Sequence, residues 1–123
     1  MKAALVIAAP LLAACASLAP AAAGPTAGLG GTAHVDGLTV RPIFLIEDSR
    51  CPTSVQCVWA GRLLVRVEVR SRDHLEQLDL ELGKSQRVSG GDLKLVSAMP
   101  ARSEATPAMP KDYRFTFEFL PSR

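Results

Sequence analysis

Residues Leu63-Leu64-Val65-Arg66-Val67-Glu68-Val69-Arg70 alternate between apolar and charged side chains from Val65 onward, and this pattern is the strongest indication of the fold. A period of two is typical of a β-strand with one face in a core and the other in solvent. The same alternation recurs in four further runs, which are Leu38–Ile46, Leu78–Leu82, Leu93–Leu95 and Tyr113–Phe119. No stretch longer than two helical turns has apolar residues at helical spacing. We therefore predict an all-β domain, a small antiparallel β-sandwich or barrel of about 5–7 strands.

The apolar side of each run predicts the core. In the first run the predicted inward face consists of Leu38, Val40, Phe44 and Ile46. Ile43 and Leu45 lie on the other face, so the second half of this strand is predicted to be buried on both sides. The inward face of the last run consists of Tyr113, Phe115, Phe117 and Phe119. Clusters of Gly, Ser and Pro separate the runs, and the segment from Pro100 to Pro110 is predicted to be a loop.

The N-terminus has the features of an export signal. Met1-Lys2 supplies a positive start, and an apolar run follows from Ala3 to Ala14. About 12 apolar residues are too few for a permanent membrane helix, which needs about 20. The predicted segments are a lipoprotein signal peptide at 1–14, a flexible Ala/Gly/Pro tether at 15–32 and a single β domain at 33–123.

The tetrapeptide Leu12-Ala13-Ala14-Cys15 resembles the lipobox of bacterial lipoproteins. That resemblance implies that Cys15 carries acyl chains such as palmitate and becomes the first residue of the mature protein. Two acyl chains would hold the domain stably at a membrane of the cell envelope. Ala16 rather than an aspartate follows the cysteine, which implies the outer membrane in a Gram-negative cell, with the domain in the periplasm or outside. The alternative is cleavage near Ala23, which would release a soluble secreted or periplasmic protein.

Charge is nearly balanced and argues against a nucleic-acid partner. The chain has 14 Lys and Arg residues and 12 Asp and Glu residues. Loss of residues 1–14 would remove only one charged residue, Lys2. The remaining charged residues alternate in sign along the chain. The sequence therefore lacks the basic patch that nucleic-acid-binding domains use.

The segment from Asp48 to Gly61 holds the densest group of unusual residues. Cys51 and Cys57 enclose five residues, and the predicted export favours a disulfide between them. Trp59 lies two residues past Cys57, and we expect its ring to pack on the disulfide and close one end of the sandwich. A second interpretation makes Asp48, Arg50 and Trp59 a recognition surface. Asp48 and Arg50 could equally pair with each other or cap loop backbone groups.

The order Asp48-Ser49-Arg50-Cys51-Pro52, then Cys57 and Trp59-Ala60-Gly61, resembles a signature of small bacterial lipoproteins and secreted proteins of unassigned function. The signature has the form DSRCP-x4-C-x-W-A-G, and the resemblance extends from about Gly37 to Phe119. It implies an exported β domain in which the cysteine pair is bridged. The family brings no established activity, so no catalytic residue is carried over from it.

We predict no enzyme active site, metal site or cofactor. The conceivable metal ligands are Cys51, Cys57, His34, His74 and Asp48, but Cys-x5-Cys is not a usual zinc spacing and the histidines are far apart. The serines of the signature have no histidine nearby in sequence to act as a base. The cysteine spacing also differs from the Cys-x-x-Cys of redox proteins.

Two functions remain. The first is a non-catalytic envelope lipoprotein whose monomeric domain is a binding or structural module for an envelope protein or glycan. The second is a secreted or periplasmic inhibitor of an exported protease, which would use the preorganised loop between Cys51 and Cys57. An inhibitor loop has to project Thr53–Gln56 into solvent, whereas a structural loop would pack Val55 inward beside Trp59.

Overall fold

A computed structural model of the chain describes residues 3–4, 24–104 and 107–122. Eight strands and one short 3₁₀ turn at Pro110–Asp112 follow one another along these residues. The strands are β1 (Thr26–Ala27), β2 (Ala33–Val35), β3 (Leu38–Asp48), β4 (Leu63–Ser71), β5 (His74–Glu81), β6 (Ser85–Val88), β7 (Gly91–Met99) and β8 (Arg114–Pro121).

The strands form two four-stranded antiparallel sheets. One sheet has the order β1-β8-β7-β6 and the other has the order β2-β3-β4-β5. The predicted all-β antiparallel fold is confirmed, and two separate sheets make it a sandwich rather than a closed barrel. The strand number exceeds the prediction because the short strands β1, β2 and β6 lie outside the runs of alternating residues.

The alternating faces of β4 and β8 meet in the core between the two sheets. As predicted, the apolar side chains of β4 and the aromatic ones at β8 are buried, and they are Leu63, Val65, Val67, Val69, Tyr113, Phe115, Phe117 and Phe119. Leu80 of β5 and Leu93 and Leu95 of β7 fill the space between them. This packing fixes which ends of the two sheets lie together.

The predicted inward face of β3 is wrong in its second half. Leu38 and Val40 are buried as expected, but Phe44 is 58% exposed. The register between β3 and β4 shifts between Pro42 and Phe44. Proline has no N–H to donate to the ladder, and a bulge adds one residue, which turns the following side chains to the opposite face. Leu45 consequently packs against the core instead.

The predicted tether also ends earlier than Thr32. Thr26 and Ala27 form β1, which pairs with Thr116 and Phe115 of β8, and Ala27 is buried in the core. Residues 24–32 therefore belong to the folded domain. Pairing with β8 buries Ala27, and Leu29 packs against the core, which composition alone does not reveal.

The predicted signal peptide and Cys15 lie outside the described residues, apart from Ala3 and Ala4. Within the described part of the chain, no helix is long and apolar enough to cross a membrane.

Candidate functional site

The candidate site is the loop of residues 49–62, which joins β3 to β4 at one end of the sandwich. The last strand pair is Asp48 with Leu63, and the Ser49 amide continues the ladder by donating to the Arg62 carbonyl oxygen at 2.8 Å. The loop is therefore the connection of an ordinary antiparallel hairpin. We call this end of the sandwich the loop end.

The predicted Cys51–Cys57 disulfide is confirmed, and it closes the outer part of the loop. The two Cα atoms lie 5.9 Å apart. Inside the ring, the Val55 amide donates to the Pro52 carbonyl oxygen at 3.2 Å in a tight turn. The Thr53 amide donates to the Arg102 carbonyl oxygen at 3.0 Å, which ties the ring to the segment that follows β7.

Replacing Cys57 with serine is expected to lower the free energy of unfolding by about 2 kcal/mol, because the cross-link restricts the unfolded chain. Urea unfolding of the oxidised protein and of the variant measures this difference. Addition of reductant provides the control, since it should bring the unchanged protein to the stability of the variant. Equal midpoints before and after reduction would show that the bridge has no structural role.

Asp48 and Arg50 form an ion pair beneath the loop. The Arg50 guanidinium donates to both carboxylate oxygens of Asp48, from Nε at 2.8 Å and from Nη2 at 2.9 Å. The remaining donors point to the other sheet, where Nη1 and Nη2 reach the carbonyl oxygens of Ala98 and Pro100 at 3.1 and 2.9 Å. Arg50 therefore joins the end of β3 to the end of β7.

Tyr113, the residue just before β8, completes this cluster. Its hydroxyl donates to Oδ2 of Asp48 at 2.7 Å. The Asp48 and Arg50 side chains are only 9% and 16% exposed, so both charges are held largely away from water. We call the cluster of Asp48, Arg50 and Tyr113 the clamp, because it joins the two sheets. Of the roles that the sequence left open for Asp48 and Arg50, the structure shows that they pair with each other.

The surroundings of the clamp shift the pKa of each member. Burial raises the pKa of Asp48, but the hydrogen bonds from Arg50 and Tyr113 and the positive charge of Arg50 outweigh it, so the pKa lies below its usual value. The hydrogen bond to Asp48 raises the pKa of Arg50 despite burial. Burial, followed by the bond to Asp48, raises the pKa of Tyr113. All three shifts mean that the surroundings favour the ionised Asp48–Arg50 pair and the protonated hydroxyl of Tyr113.

The lowered pKa of Asp48 makes the clamp sensitive to acid. Its contribution to stability is complete above the pKa of the unfolded chain, about 4, and is lost as pH falls through the lower pKa of the folded state. We expect Asp48→Asn to be less stable than the unchanged protein at neutral pH, with a gap that narrows below about pH 4. Urea midpoints of both proteins between neutral pH and acid measure the gap. A gap of constant size would show that the ionisation of Asp48 does not contribute to stability.

Trp59 does not pack on the disulfide or close the sandwich, so that prediction is wrong. Its side chain is 83% exposed, and its neighbour Val58 is 91% exposed. The end of the sandwich is instead closed by the clamp, which leaves Trp59 without a place in the core. Val55 is 40% exposed, and residues 53–56 all face solvent. The ring is therefore presented outward rather than folded against the domain.

Sequence reasoning misses two members of the site. The alternation around Tyr113 predicts only a core position, but a buried tyrosine among phenylalanines requires a partner for its hydroxyl, and that signal could have indicated Asp48. Arg102 donates to the Arg50 carbonyl oxygen at 2.8 Å and supports the loop from below. Nothing in its local sequence indicates this contact, because 52 positions separate the two residues.

A cleft of about 320 Å³ lies beside the clamp, between Tyr113 and the segment Arg102–Glu104. Asp48 borders this cleft but is already bonded to Arg50 and Tyr113. Among residues 24–104 and 107–122, no three His, Cys, Asp or Glu side chains are grouped so as to hold a metal ion. His34 and His74, on β2 and β5, are not brought to the disulfide.

Comparison with known proteins identifies no relative: no family model, curated protein or solved structure matches the chain.

Proposed function

We propose that this chain is a non-catalytic lipoprotein of the bacterial cell envelope, anchored through Cys15, that acts by binding a component of the envelope through its loop end. The observation that carries the proposal is the exposure of Val58 and Trp59 beside the Cys51–Cys57 ring. A large aromatic side chain on a cross-linked loop can bind with little loss of conformational entropy.

The exposure of Trp59 supports this proposal, because it predicts that the side chain contributes little to folding. Because the side chain is 83% exposed, Trp59→Ala should change the free energy of unfolding by less than about 0.5 kcal/mol. A tryptophan that contributes little to stability yet stays in solvent is available to a partner. Urea unfolding of the variant measures this expectation. A loss of several kcal/mol would place Trp59 in the fold and remove it from the binding surface.

Photo-crosslinking in cells tests the proposed binding. A benzophenone amino acid is introduced in place of Val58 in one variant and in place of Leu75 in the other. Leu75 is also exposed but lies near the start of β5, beside the turn from β4 and at the opposite end of the sandwich. We expect an adduct with an envelope component from position 58 and none from position 75. The same adducts from both positions, or none from either, would contradict the proposal.

The second candidate function is inhibition of an exported protease. It is favoured by the outward presentation of residues 53–56, which an inhibitor loop requires. In that case the purified protein inhibits a protease of the exported fraction at a one-to-one ratio, and Cys57→Ser weakens the inhibition by releasing the ring. If the protein does not inhibit the protease, or if Cys57→Ser inhibits it equally well, the inhibitor function is excluded and envelope binding is the remaining candidate.

A further inference from the structure

The exposed apolar side chains of the domain are concentrated at the loop end. Of the large hydrophobic residues that are exposed in the described part of the chain, three lie elsewhere, namely Phe44, Leu75 and Leu120. The other five lie on the loop, at the end of β7 or just before the 3₁₀ turn, and they are Val55, Val58, Trp59, Met99 and Met109. We call these five side chains the apolar end group. Among the described residues, exposed large apolar side chains are thus more numerous at the loop end than elsewhere.

The charge of the loop distinguishes this group from an ordinary polar loop. Residues 49–62 contain no Asp or Glu, and their only charged residues are Arg50 and Arg62. Tryptophan is favoured at the boundary between lipid headgroups and acyl chains, because its ring is apolar and its N–H is polar. Arg50 pairs with Asp48 and Arg62 pairs with Glu47 at the end of β3, so the loop with its ion partners is close to neutral and does not repel anionic headgroups. These properties fit a phospholipid surface.

The chain between Cys15 and the domain is long enough for the loop end to contact the membrane that holds the anchor. Gly24 is nine positions after Cys15, so the connecting chain spans at most about 30 Å. The Phe117 amide donates to the Pro25 carbonyl oxygen, and Phe117 is three residues into β8 from the loop end. Because β1 is antiparallel to β8, the chain from Ala27 back to Gly24 runs from Phe115 towards Phe117. At about 3.3 Å per strand residue, it leaves the domain near the middle of β8, about 10 Å from the loop end. An anchor at Cys15 and the apolar end group can therefore touch one bilayer.

We propose that the loop end rests on the lipid surface that holds the anchor, with Trp59 and Val58 inserted at the level of the headgroups. This inference rests on the proposed function and names its binding partner as phospholipid. The anchor and the apolar end group then form two membrane contacts, of which the second is weak alone and fixes the orientation of the domain. The opposite end, with the turn between β4 and β5, points away from the membrane.

Trp59 is the only tryptophan, so its fluorescence reports directly on this contact. The full chain, purified with the N-terminus that the cell gives it, is reconstituted into vesicles of phosphatidylethanolamine and phosphatidylglycerol, with or without bromine on the acyl chains. We expect a shift of emission to shorter wavelength on reconstitution and a loss of intensity in the brominated vesicles. The control is the double variant Trp59→Phe with Leu75→Trp, whose tryptophan should be neither shifted nor quenched.

The outcomes separate this inference from the proposed anchor. Flotation with the vesicles without quenching of Trp59 would retain the anchor and overturn the membrane contact. Quenching of Trp59 without an acylated N-terminus would retain the contact and overturn the anchor. Equal quenching at positions 59 and 75, or a protein rather than a lipid adduct from the crosslinker at position 58, would also overturn the contact.

Discussion

Replacing Gly61 with alanine is expected to destabilise the domain by about 3 kcal/mol or more. Gly61 has a φ of +67°, a conformation that side chains other than glycine rarely adopt. A Cβ atom at this position would also overlap the carbonyl group of Ser49 across the base of the loop. Both the backbone strain and the overlap occur at the base of the loop, where the Ser49 amide bonds to the Arg62 carbonyl oxygen. The backbone could relieve them only by moving apart there, which would break this hydrogen bond.

A matched control separates the overlap from the strain. Gly83 has a φ of +87°, and nothing lies within 4 Å of the position that its Cβ would occupy. Gly83→Ala should therefore cost only about 1 kcal/mol. Chemical unfolding of both variants measures the difference. Equal destabilisation by the two substitutions would show that the base of the loop is not closely packed against Ser49.

Replacing Arg50 with methionine is expected to cost about 3 kcal/mol. The variant leaves the carboxylate of Asp48 largely buried with Tyr113 as its remaining side-chain donor, and it leaves the carbonyl oxygens of Ala98 and Pro100 without the guanidinium. An uncompensated buried charge costs more than the loss of an exposed ion pair. Urea unfolding at neutral pH measures the effect.

Arg66→Met is the matched control, because Arg66 pairs with Asp79 at a similar distance of 2.9 Å while both side chains are more than 40% exposed. Its cost should stay below about 1 kcal/mol. The double variant Arg50→Met with Asp48→Asn should cost less than the sum of its parts, since it removes both charges. Additive losses would indicate that Asp48 and Arg50 do not act as a pair.

Much of the fold could be predicted from the sequence because it depends on local alternation. Val65 to Val69 and Phe115 to Phe119 each place every second side chain inward, and the structure buries them as predicted. Phe44 shows where this reasoning fails. The register shifts twice between β3 and β4, first after Pro42 and again after Leu45, and no pattern of polar and apolar residues locates such bulges in advance.

Less of the candidate site could be predicted from the sequence, because several of its hydrogen bonds join residues that are far apart in the chain. The cysteine pair could be predicted from its spacing and the export signal, and the pairing of Arg50 with Asp48 is local, but the carbonyl oxygens that Arg50 also contacts lie on β7 and just after it, about 50 positions away in the chain. A large apolar side chain beside a disulfide usually contributes to packing, which is why the sequence favours a core position for Trp59. The clamp of Asp48, Arg50 and Tyr113 already fills that position, so the tryptophan is left outside.

The intact mass of the protein isolated from its native membranes, before and after reduction, tests the anchor and the bridge together. We predict a polypeptide that begins at Cys15, carries acyl chains there and gains the mass of two hydrogen atoms when the Cys51–Cys57 bridge is reduced. An unacylated polypeptide that begins near Gly24 would contradict the proposed function, because it would free the domain from the membrane on which the proposed binding depends.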